Sequence, residues 1–126
     1  MIMTRIPFKT TNHNGESAVL GSHRLVTNNV LIAVKALMQR RVWATLAVEW
    51  PELTATLVSP SMTLDQYFTP ELPAEKIINI MMGDLQRIWV YARRGWSAPQ
   101  RIPDEVRAAY DSLVALGFTR HLIAEE

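Results

Sequence analysis

The sequence predicts a mainly α protein: a single compact helical domain of about four helices spanning residues 1–126, with an extended or β-hairpin N-terminal segment, and α+β as the fallback. Three observations predict it. From Asn28 the apolar residues fall at helical spacing. The central run from Pro73 to Arg94, PAEKIINIMMGDLQRIWVYARR, is apolar over more than half of a helix circumference. A further amphipathic run is bracketed by Pro103 and Gly117, punctuation that starts and stops a helix. A chain of 126 residues buries enough surface to need no staple and no second domain.

Residues 1–27 read as the β-like segment. Arg5 to Thr10 suits an extended stretch, Asn14-Gly15 is a turn signal, and Ala18 to Leu20 with His23 to Val26 flank Gly21-Ser22. Residues 28–126 form the helical core. Val30, Leu31, Val34, Leu37 and Met38 share one helical side, with Thr27 or Asn28 placed to cap it. The helix is expected to run to about Val48, although 42–58 holds enough branched and aromatic residues for strand. Pro51 interrupts it, and Leu53 to Val58 is assigned to a short helix with strand as the fallback. Thr63-Leu64-Asp65-Gln66 has the form of a capping box before one or two turns ending near Phe68.

Pro73 is expected to open the central helix at its first position, with Ile77, Met81, Leu85, Ile88 and Ala92 on the apolar stripe, widened by Ile78, Met82 and Trp89. Gly95 to Arg101 follows as an exposed loop. Pro103 then opens the last helix, in which Val106, Ala109, Tyr110, Leu113 and Leu116 face inward and Gly117 stops the helix. The tail from Thr119 to Glu126 is read as a short strand or a frayed turn.

Without cysteine, disulfides, zinc-thiolate sites and thiol nucleophiles are excluded. No segment approaches the roughly eighteen apolar residues that a membrane span needs, so the reading is a soluble, cytoplasmic protein with no membrane partner. Net charge is +1, but the charge is zoned: +5 over residues 1–48, −5 over 49–86, +4 over 87–101 and −3 over 102–126. Either the zones neutralise one another across the fold or they leave a basic face for an anionic partner.

The usual signs of a reaction centre are missing. The five glycines are scattered, so there is neither a dinucleotide fingerprint nor a P-loop, and His13, His23 and His121 lack metal-ligand spacing. No catalytic residue, metal or cofactor is assigned. What remains is arginine beside tryptophan: Arg93, Arg94, Trp96 and Arg101 after the central helix, Arg40 and Arg41 before Trp43, and Trp50 beside a chain break. These residue types anchor protein interfaces, and the same guanidinium and indole groups suit phosphate and bases. The functional expectation is therefore a non-enzymatic module that binds another protein as a small regulator, inhibitor or adaptor, using Arg93, Arg94, Trp96, Arg101, Arg40, Arg41 and Trp50. A nucleic-acid-binding regulator using residues 87–101 is the alternative, and a homodimer formed on the central helix is a further partner expectation.

Overall fold

A run of five apolar and branched residues does not choose between helix and strand by periodicity; a neighbour decides. In the computed structural model, which describes residues 29–125, Asn29–Ala33 is a strand, β1. Its partner is β2, Thr54–Val58, paired in parallel from Asn29 opposite Thr54 to Ala33 opposite Val58. Val30 and Ile32 share the half-buried face with Ala55 and Leu57, the period-two pattern of a sheet with one covered side. Parallel strands need a crossover, and it is supplied by a 3-10 turn at Ala36–Met38 followed by helix α1, Gln39–Glu49.

The expectation of a mainly α, four-helix domain is thus corrected to its α+β fallback: the described residues form three α-helices and a two-stranded parallel sheet. The helix expected from Asn28 begins only at Gln39, and within the Leu53 to Val58 stretch Thr54–Val58 is strand, the fallback reading. Both corrections have one cause, since each β-branched run stabilises the other only after the chain between them has folded back. Thr27 and Asn28, the expected caps, lie outside the described residues, as does the whole N-terminal β-like segment. The expected end of α1 near Val48 agrees with the observed one. Trp50 N–H still bonds Leu46 O at 2.8 Å, then the backbone turns extended before Pro51.

At the capping-box sequence, Gln66 Oε1 accepts the Thr63 N–H at 2.8 Å and starts a single 3-10 turn, Asp65–Tyr67. Helix α2 spans Ala74–Arg93 and α3 spans Asp104–Ala115. Pro73 and Pro103 each stand one position before the first helical residue, accepting the first backbone bonds through their carbonyls. At the end of α3, Gly117 takes φ +93° while its N–H bonds Val114 O, and Phe118 N–H returns to Leu113 O.

The core joins Ala44 and Leu46 of α1, Ile77, Met82, Ile88 and Val90 of α2, and Tyr110 of α3. Of the residues expected inward on α3, Tyr110 is buried and Val106 and Leu113 are half-buried. Ala109 is exposed, and Leu116 is 74% exposed. The loop after α2 is less open than expected: Ser97 is buried, and Ala98 N–H bonds Ala44 O of α1 at 2.8 Å. No helix among the described residues is long and apolar enough to cross a membrane.

Candidate functional site

Three helices cannot cover one another completely, and here they leave a groove. It has a volume of about 610 Å³ and is bounded by the start of α1 with its leading turn, one face of α2, and α3. Ile78, Met81 and Leu85 of α2 form one wall and Val106 and Leu113 of α3 the other, with Leu37 closing an end. All five of these wall residues are half-buried, because among the described residues only the Leu64 side chain reaches over the groove from outside the helices and their leading turn. Met82 is buried beneath this wall, whereas Met62 is 40% exposed and lines no part of the groove.

Charge edges this apolar trough. Arg40, Asp84 and Glu105 line it. Asp84 Oδ1 lies 3.0 Å from Arg41 Nε, a contact of charge proximity without an aligned hydrogen bond to Nε. Burial pushes the Asp84 carboxyl above its ordinary range, while Arg41, Arg87 and His121 draw it back. Arg41 is thereby committed to an internal pair, and Arg40 stays exposed on the rim.

The basic cluster in the last turns of α2 and at its end is turned largely inward, onto the segment that follows α3. Arg87 Nη1 donates to His121 O at 2.9 Å, Arg94 Nη2 to Ala124 O at 2.9 Å, and Arg93 Nη2 pairs with Glu125 Oε2 at 3.0 Å. Arg94 also stands over the Trp96 ring, 5.1 Å from its centroid, and Trp96 meets Tyr91 edge to face. Trp89 was expected in the core. It is half-buried instead, edge to face with Tyr110 at 4.9 Å, under Arg107, and its Nε1 donates to Glu125.

The tail is therefore neither a strand nor a frayed end. Its seat is made by residues that sequence reasoning passed over. Gln86, fully buried, donates Nε2 to Ile123 O at 2.9 Å and accepts Ile123 N–H on Oε1 at 2.8 Å. Buried Asn79 accepts the Arg120 N–H at 3.0 Å and is itself fixed by donating to Glu75 O. Gly83 sits between them because a β-carbon there would lie 2.5 Å from His121 O. The signal was present: Asn79, Gly83 and Gln86 share one face of an otherwise apolar helix, a strip of two amides and a glycine that aliphatic packing does not need.

The remaining predicted residues fall as follows. The two arginine-tryptophan stretches do meet, since Gln100 Nε2 donates to Arg40 O at 3.1 Å and runs the loop along α1. Arg101 is exposed beside that contact, and Trp43 and Trp96 are each about half exposed, at 53% and 50%. Trp50 is half-buried, and its carbonyl accepts the Leu53 N–H in the turn into β2, so it pins a loop. Among the described residues, oppositely charged zones answer one another in two ion pairs, Arg41 with Asp84 and Arg93 with Glu125, while Arg120 with Glu75, at 3.1 Å, joins the two acidic zones. Among the described residues, no three His, Asp or Glu side chains gather to hold a metal ion.

Glu125 supplies a pH test of the seat. The hydrogen bond from Arg93, then those from Gln86 and Trp89, hold its carboxyl below the ordinary range. An acid with a lower pKa folded than unfolded stabilises the fold above its unfolded pKa, about 4.3 for a glutamate, and loses that contribution as pH falls through the folded value. Docking of the segment should accordingly weaken on acidification through that window. Carboxyl-carbon NMR titration should give a depressed midpoint for Glu125 that moves up in Arg93→Ala; an unmoved midpoint would remove Arg93 as the cause.

Compared with known proteins, the chain is similar to an uncharacterised protein of Streptomyces coelicolor, 35% identical over 108 residues. That alignment covers 86% of this chain and 49% of the relative, so the chain spans about half the relative's length. No protein-family model and no solved structure matches.

Proposed function

We propose that this chain is a non-catalytic, cytoplasmic protein-binding module, acting stoichiometrically as a small regulator or adaptor, and that it docks an amphipathic helix of its partner in the groove between α1, α2 and α3. The observation that carries this reading is the groove itself: an apolar trough with three helical sides, in which a fourth helix would complete a bundle. The rim fits such an occupant. Arg40 calls for an acidic residue at one edge of the incoming helix, and Glu105 for a basic one at the other. Exposed Arg101 and Trp96 extend the surface along α1, where the loop is tied to Arg40.

The inward use of Arg87, Arg93 and Arg94 supports a protein partner over nucleic acid. Guanidinium groups already bonded to carbonyl and carboxylate oxygens have fewer donors left for phosphate. A photo-cross-linking amino acid placed at Leu113, on the groove wall, should trap another polypeptide in the producing cell. The same group at Ser112, outside the groove, should not, and Met81→Glu should abolish the Leu113 adduct. Equal adducts at both positions, or adducts to nucleic acid alone, would refute the assignment.

A further inference from the structure

The seat on α2 grips main chain more than side chain. Five of its bonds go to backbone atoms: Arg120 N–H, His121 O, both polar atoms of Ile123, and Ala124 O. Two side chains are read, one at each end. Glu75 pairs with Arg120, while Arg93, Gln86 and Trp89 converge on the Glu125 carboxylate. The recognition pattern is thus an extended segment with a basic residue, four intervening positions and an acid. Every one of these contacts lies between α2 and the segment; none involves α3 or the pivot that joins α3 to the segment.

That pivot is open. Leu116 is 74% exposed, and Gly117, at φ +93°, has nothing within 4 Å of a would-be β-carbon. The side-chain bonds to the segment come from α2 and its cap residue Arg94. The segment's one backbone bond to the pivot, Leu122 N–H to Thr119 O at 3.1 Å, travels with it when the chain turns at Gly117, so the segment can be supplied by another molecule without changing a single seat contact. We propose that the seat exchanges its occupant, and that its ligand in trans is the 120–125 segment of a second copy of this chain, giving a reciprocal dimer. The second copy is the fitting donor because it carries the matched basic and acidic ends by construction. Exchange of identical elements conserves the contacts and costs only association. The attached segment competes at an effective concentration on the order of millimolar, so the exchanged form gains ground when the internal match is weakened. The groove is independent of this, because Ile78, Met81 and Leu85 make none of the seat bonds.

Charge reversal tests it with full-length chains. Arg93→Glu and Glu125→Arg each set a chain's own seat against its own segment, yet in a mixture both seats meet a complementary segment from the other copy. Both side chains are exposed, at 55% and 44%, so the helices should survive either change. Sedimentation should show monomers for each variant alone and a doubled mass for the equimolar mixture. A second pair acts on the main-chain grip and reads exchange in one direction. Gln86→Leu breaks a seat but keeps its segment, and Ile123→Pro removes the N–H that Gln86 accepts but keeps its seat, so one intact seat meets one intact segment from the other chain. A doubled mass in either mixture supports exchange, and monomers in both mixtures overturn it.

Discussion

Replacing Gly83 with alanine is expected to destabilise the protein by about 1–3 kcal/mol, although alanine is the better helix former. In an open helix the same change would stabilise by roughly 0.5–1 kcal/mol, because glycine surrenders more backbone freedom on folding. The reversal comes from what lies above the position. An added β-carbon would stand 2.5 Å from the His121 carbonyl oxygen and 2.8 Å from its β-carbon, and the first of these is backbone that cannot rotate aside. Either the segment lifts and loses its bonds, or α2 shifts and strains the core at Met82. Urea unfolding measures the sum. A double-mutant cycle identifies the cause, since in an Ile123→Pro background, where the segment is already loosened, Gly83→Ala should turn stabilising. Stabilisation in the otherwise wild-type chain would show that the segment does not press on Gly83.

Gln86→Leu is expected to cost about 2–4 kcal/mol. The side chains are similar in length, so little cavity results, and the loss is polar. Gln86 is 2% exposed and satisfies both the N–H and the carbonyl of Ile123. With leucine in its place, those two groups are left without partners if the segment stays, at about 1–3 kcal/mol each. The alternative is that the segment leaves and gives up its other contacts with α2. In both cases the Ile123 amide should exchange far faster than in the wild type, which hydrogen-exchange NMR reads directly. Arg87→Leu provides the scale: it removes one bond, to His121 O, at an exposed site, and should cost no more than about 0.5–1.5 kcal/mol. Equal losses for Gln86→Leu and Arg87→Leu would argue against a buried amide clamp.

The sequence by itself determined the two later helices. Proline before Ala74 and Asp104, glycine at 117, and apolar residues at steps of three and four act within a few residues, so their effect does not depend on the rest of the chain. The existence of α1 and its stop before Pro51 were legible for the same reason. What only the tertiary structure decided was everything that needed a distant partner. Asn29–Ala33 and Thr54–Val58 are strands because each faces the other, and neither periodicity nor composition records that pairing. Arginines 87, 93 and 94 look like a free basic patch in sequence. They are bonded to a segment some thirty residues later, chiefly through its carbonyls, and a backbone carbonyl has no letter in the sequence. The groove likewise arises from how three helices fail to enclose one another, a property of their packing and not of any one of them.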